Sequence, residues 1–152
     1  FFLLGKHVER HPTLVRRICE EGHRVANHSF LHQPVWFRRK EDVLRELVRT
    51  NDAIVAAGGS KPRMFRPPFG RFDLGTLQVV RGAGMEIVLF GVNSWDFAGG
   101  APATIVDRVV RRTRPGDILL FHDNYRTAGF IGHVVRAVIR RLRDRGMVIT
   151  GL

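Results

Sequence analysis

Thiol chemistry is almost absent from this chain of 152 residues. Its one cysteine, Cys19, has no partner for an internal disulfide, so the fold must rest on a packed core. Cys19 falls in a helical pattern and reads as a buried thiol. Long apolar runs are also missing, and none approaches the roughly 20 residues that a membrane-spanning helix needs. There is no internal repeat, no low-complexity linker and no charged leader before Phe1-Phe2-Leu3-Leu4, which reads as the inside of a strand. Acidic residues are scarce: 14 Asp and Glu against 25 Lys and Arg leave a net charge of +11, carried mainly by arginine. Nucleic acid, anionic cell-envelope polymers and acidic lipid surfaces are all compatible with that balance. The basic residues are not interleaved with aromatics as single-strand binders require, and Arg136, Arg140, Arg141, Arg143 and Arg145 fit a solvated helix face. Nucleic acid is therefore not an expected partner. The hydrophobic content of 44% and the length suit one domain over residues 1–152. Composition leaves the oligomeric state open, and the cell envelope, the exterior and the cytoplasm all remain open as compartments.

Apolar periodicity supplies the elements. Phe1 to Leu4 reads as a buried strand closed by Gly5, and a helix follows from His11-Pro12 with a stripe at Leu14, Val15 and Ile18. Arg24-Val25-Ala26 is a short strand, and Gln33 to Arg39 a loop carrying Trp36 and Phe37. Glu41 to Ala57 is the clearest helix, with Val43, Leu44, Leu47, Val48, Ile54 and Val55 facing inward and Gly58-Gly59 stopping it. Met64-Phe65 is a very short strand, Asp73 a helix N-cap, and Glu86 to Val92 a strongly apolar strand. A helix opening at Pro102, the strand Ile118 to Phe121, a helix ended by Gly146 and a last strand from Met147 to Thr150 complete the chain. Continuous apolar strands alternating with helices are the pattern of a parallel sheet covered by helices.

The chemistry-bearing residues cluster at one kind of position. His28, Arg66, Asp96 and His122 each follow the C-terminal end of a different strand. In a barrel of parallel strands those ends share the rim where active sites are built, although an open doubly wound sheet gathers strand ends as well. His28 and His32 are four residues apart, and a helical turn would put both imidazoles on one face, close enough to share a metal ion. The same spacing also suits capping or packing histidines. Arg66 could equally serve an ordinary ion pair, Asp96 could cap a turn, and His122 could be a satisfied core histidine. Trp36, Phe37 and Trp95 suit packing or sugar stacking. His7, His11, His23 and His133 read as structural.

His28-Ser-Phe-Leu-His32, Arg66-Pro-Pro-Phe-Gly70, Asn93-Ser-Trp-Asp96-Phe97 and Leu120-Phe-His122-Asp123 stand in an order that resembles the polysaccharide deacetylases. This is the NodB-homology family, carbohydrate esterase family four. The opening FFLLG and the GHRVANHS stretch extend the likeness across the chain. The resemblance implies an α/β fold, a distorted (β/α) barrel, and hydrolytic removal of N-acetyl groups from the amino sugars of a glycan. It implies a divalent metal on His28 and His32, zinc first, with cobalt, nickel or manganese as alternatives. Arg66 would orient a catalytic carboxylate, His122 would be the general acid, and Asp96 would support it. Leu120 and Phe97 would wall the acetyl pocket, with Phe69 and Trp95 also at the substrate.

Three departures qualify that expectation. The family's first motif, Thr-Phe-Asp-Asp-Gly, is absent, and no Asp-Asp pair occurs anywhere. That motif supplies the catalytic base and the third metal ligand, so neither is present in this chain. Asn93 stands where an aspartate is common, and Phe97 where a tryptophan is common. The expectation is a barrel lacking its first strand, in a domain incomplete at its N-terminus and weakly active or inactive as it stands. The alternative from another class is a non-catalytic carbohydrate-binding or interaction domain on the same fold.

Overall fold

Each of the six strands is only two residues long, so ladder hydrogen bonds are few and helix packing must carry the stability. The computed structural model describes residues 1–152. The chain divides into two units, Phe1–Leu89 with Gly151–Leu152, and Phe90–Thr150.

The first unit runs β1 (Phe2–Leu3), α1 (Gly5–Arg10), α2 (Pro12–Glu20), β2 (Ala26–Asn27), α3 (Lys40–Ala56), β3 (Met64–Phe65), α4 (Leu74–Gly82) and β4 (Glu86–Ile87). The strands form one parallel sheet in the order β1-β2-β3-β4, with Phe2 beside Ala26, Asn27 beside Phe65 and Phe65 beside Ile87. Helix α3 serves two apolar clusters. Its N-terminal half gives Val43 and Leu47 to a cluster with Val35, Phe65, Val80 and Met85, and Ile54 further on packs with Val8, Val15 and Ala57. Leu47 and Ile54 are fully buried, and truncating either to alanine should cost about 2–5 kcal/mol. Gly5 opens α1 beneath Phe30 because a Cβ there would collide with the Phe30 ring and lie 2.7 Å from Thr50 Oγ1. Asp73 caps α4, its Oδ1 accepting from the Thr76 amide at 2.8 Å.

The second unit contains β5 (Val92–Asn93), α5 (Pro102–Arg112), β6 (Leu119–Leu120) and α6 (Ile131–Asp144). β5 and β6 pair in parallel, Val92 beside Leu119 and Asn93 beside Leu120. Ile105, Val106, Val109 and Val110 of α5 pack on Val134, Val138 and Leu142 of α6. Valines are modest helix formers, so burial of this stripe rather than propensity holds both helices. No helix is long and apolar enough to cross a membrane.

The alternation of strands and helices, and the parallel pairing, agree with the sequence pattern. Several details do not. Helix α1 begins at Gly5, read as the close of a strand, and covers residues 6–10, to which the sequence pattern assigned no element because the one buried apolar side chain there, Val8, makes no periodic stripe. The single strand expected over Glu86–Val92 is two, β4 pairing with β3 and β5 with β6. Met147–Thr150 joins no ladder, although Met147 and Ile149 still pack on the second unit's core. On α3, Leu44, Val48 and Val55 face solvent, and Leu14 does the same on α2. Cys19 is half-buried rather than buried.

Candidate active site

In the first unit, the site begins where β2 ends. The Asn27 side chain is fully buried and donates to Leu47 O at 2.9 Å and to Asn51 Oδ1 at 2.8 Å. Its own Oδ1 accepts from the Ser29 amide at 2.8 Å, which turns the chain straight after the strand. Ser29 and His32 take positive φ values of 64° and 61°, conformations costing on the order of 1 kcal/mol each for a residue with a side chain. The loop holds them with a Ser29 Oγ that accepts from the His32 amide at 3.1 Å. Glu46 reinforces it from α3, its Oε2 accepting from the Phe30 and Leu31 amides, both at 3.0 Å. His28 and His32 therefore meet through a tight turn, not on the helical turn that their spacing suggests. Their ring centroids lie 5.0 Å apart at 70°.

His28 Nδ1 sits 2.6 Å from Arg66 O. A carbonyl can only accept, so the proton of a neutral ring belongs on Nδ1 and the lone pair on Nε2, the tautomer of a metal ligand. The Arg66 side chain reaches the other way. Its Nε and Nη2 donate to Val88 O at 3.1 Å and Leu89 O at 2.9 Å, and its guanidinium lies 3.9 Å over the Phe2 ring. Burial pulls its pKa down to about 10, which still leaves it charged at neutral pH. Phe69, also at positive φ, meets His32 edge-on at 4.9 Å and Trp36 at 5.9 Å.

In the second unit, Asp96 and His122 form a tightly coupled pair. Asp96 is 1% exposed, and its Oδ1 lies 2.7 Å from His122 Nδ1 while its Oδ2 accepts from the His122 amide at 2.7 Å. Burial pushes the Asp96 carboxyl up, but hydrogen bonds from the His122 ring and amide, with the attraction of that ring, outweigh it and hold the pKa below the ordinary value. Thr127 completes the support, its Oγ1 donating to His122 O at 2.7 Å. Phe97 meets the His122 ring edge-on at 5.0 Å, and Trp95 lies 5.5 Å from Phe97. Trp95 adopts φ 54°, its amide donating to Asn93 Oδ1 at 2.9 Å, so Asn93 shapes this turn. Leu120 is half-buried on β6, two residues before His122.

The structure thus gathers His28, His32, Arg66 and Phe69 in one unit, and Trp95, Asp96, Phe97, Leu120 and His122 in the other. The supporting residues Asn27, Glu46 and Thr127 escaped sequence reading. Asn27 lies inside a recognised stretch, but its turn-forming role has no spacing signature, and Glu46 and Thr127 lie outside every motif. For a metal ion the chain offers two imidazoles with the right tautomer at His28, yet no third His, Cys, Asp or Glu joins them. The donor set is short of a three-ligand centre.

The sequence profile of the polysaccharide deacetylases matches residues 1–88. The chain is 37% identical over 123 residues to a chitooligosaccharide deacetylase of Rhizobium leguminosarum bv. trifolii, covering 81% of this chain and 57% of that protein. A family 4 carbohydrate esterase from Streptomyces lividans, solved in complex with acetate, superposes with a TM-score of 0.86 at 30% identity, over 95% of this chain and 73% of the other. A CE4-family pseudoenzyme from Bacillus anthracis superposes with a TM-score of 0.92 at 26% identity, over 100% of this chain and 53% of the other. The α/β fold with parallel sheets is therefore the polysaccharide deacetylase fold, and the four motifs lie where that likeness runs. By profile, sequence and structure alike, the chain belongs to the polysaccharide deacetylase family.

Proposed function

We propose that this chain provides the proton-donating and glycan-binding residues of a hydrolase that removes N-acetyl groups from the amino sugars of an oligosaccharide or polysaccharide. The observation that carries this reading is the double hydrogen bond between Asp96 and His122. Asp96 fixes the ring with its proton on Nδ1, so Nε2 is the atom that exchanges a proton with substrate. In amide hydrolysis, water adds to the acetyl carbonyl carbon and the C–N bond breaks. The departing sugar amine needs a proton, and protonated His122 supplies it from Nε2. Phe97 and Leu120 would border the acetyl methyl beside that ring.

His28 and His32 are the imidazoles that would hold a divalent ion, zinc before cobalt, nickel or manganese. With two protein donors the site is incomplete, and no step of the reaction is derived through the ion. The catalytic base is likewise absent from the residues of this sequence. Acetate release from N-acetylglucosamine oligomers with added zinc by the parent protein that carries these residues, compared with its His122→Ala variant, tests the assignment, and little or no turnover is expected of this chain alone. A loss of about 100-fold or more is expected, and undiminished release would refute the role of His122.

A second reading is a non-catalytic carbohydrate-binding domain. The incomplete donor set and the likeness to a protein described as a pseudoenzyme favour it. Glycan binding that persists in His28→Ala and under chelation, with no acetate released by the parent protein, would select it.

A further inference from the structure

We infer that Thr127 is a positioning residue for His122, keeping the ring's proton on Nδ1 so that Nε2 stays the atom that meets substrate. The inference rests on the proton-donor reading above and adds a residue from outside all four motifs. His122 lies between β6 and α6, in neither a strand nor a helix, so no ladder or helical turn fixes its main chain. Two side chains do this instead. Asp96 Oδ2 takes the His122 amide, and Thr127 Oγ1 donates to His122 O, each at 2.7 Å.

Thr127 is fully buried although its side chain is polar. A hydroxyl has one proton to give. It lies 2.7 Å from His122 O and 3.2 Å from Asn124 O, so the shorter contact takes it. The same oxygen accepts from the Asn124 amide at 3.1 Å. One side chain thus closes residues 122–127 into a ring, and its β-branch restricts the rotamers through which that ring opens.

The far end of the ring is anchored in the core. Thr127 O accepts from the Phe130 and Ile131 amides at 3.0 and 2.9 Å, which joins the segment to the start of α6. Phe130 packs on the cluster that includes Val134, Val138 and Leu142. Helix α6 therefore holds His122 by its carbonyl while Asp96 holds it by its amide. The ring keeps its proton on Nδ1 only while that atom stays beside Asp96 Oδ1, at 2.7 Å. With the carbonyl released, the residue turns about its amide contact and the tautomer is no longer imposed.

Nitrogen NMR of the imidazole at alkaline pH, where histidine rings are neutral, reads the two tautomers directly. Thr127→Val keeps the shape and removes the hydroxyl, and its Nε2–H tautomer should rise about tenfold over the unaltered chain. Thr127→Ser restores the donor and should return the single Nδ1–H form. In the parent protein, Thr127→Val should lower kcat about tenfold and leave KM within about twofold. An unchanged tautomer ratio in Thr127→Val, or a Thr127→Ser variant as mixed as Thr127→Val, would overturn the inference whatever the melting temperatures. Should Thr127→Val not fold, the Thr127 hydroxyl proton of the unaltered chain decides: slow exchange with solvent supports its contact to His122 O, and fast exchange overturns it. Mixed tautomers with an undiminished kcat would overturn the proton-donor reading instead, so the two failures are distinguishable.

Discussion

Asp96 holds His122 at two points, the ring Nδ1 and the main-chain amide, each at 2.7 Å. One contact fixes the tautomer and the other fixes the backbone from which the ring projects, so ring orientation and loop conformation depend on a single buried carboxylate.

Asp96→Ala should therefore damage both stability and chemistry. It leaves the His122 amide without its acceptor, at a cost of about 2–4 kcal/mol. The carboxyl pKa is lower folded than unfolded, so its contribution is fully present above the unfolded value of about 3.9 and is lost as pH falls through the folded value. Denaturant unfolding of Asp96→Ala and the unaltered chain should differ most near neutrality and converge in acid. A difference that grew with acidity would contradict the assignment.

Asn27→Ala should disturb the histidine pair without touching either ring. Three hydrogen bonds disappear, to Leu47 O, Asn51 Oδ1 and the Ser29 amide, and destabilisation of about 2–3 kcal/mol is expected. With the turn released, His28 and His32 should lose their common orientation. Zinc affinity, read by competition with a chromophoric chelator, should fall as far as it does in His32→Ala.

Asp73→Ala should free both the start of α4 and the Phe37 loop. Hydrogen bonds from the Thr76 amide, the Phe37 amide and the Thr76 hydroxyl hold its pKa down to about 2. Its contribution is thus present above the unfolded value near 3.9 and fades as pH falls towards 2. The variant should melt at lower temperature at pH 7, and the gap should narrow in strong acid. The Phe37 amide should become more mobile, which a fall in its NMR order parameter at neutral pH would register.

What the sequence made legible follows from what periodicity and motif order encode. Parallel pairing was visible because the strands are continuously apolar, and α5 was visible because Ile105, Val106, Val109 and Val110 all turn inward. The facing of α3 was only half visible: Leu44, Val48 and Val55 sit at helical spacing from buried neighbours but point to solvent, where no core meets them. His28, Arg66, Asp96 and His122 do follow the ends of β2, β3, β5 and β6, as the sequence pattern placed them. The turn that unites the histidines was not visible, because left-handed backbone at Ser29 and His32 has no composition signal when glycine is absent. Nor did sequence show that the Arg66 side chain would seek main-chain carbonyls.

Arg66 has a mechanical consequence. Through its backbone carbonyl it touches the His28 ring, and through its guanidinium it seals the exit of β4 at Val88 and Leu89. One residue thus ties three consecutive strand ends of the first unit together, doing with its two ends what ladders of two-residue strands are too short to do. These contacts join β4, at the far edge of that sheet, to an imidazole. Amide hydrogen exchange at the strand ends and the rate of His28 ring reorientation should then rise and fall together, as one cooperative opening instead of three separate ones.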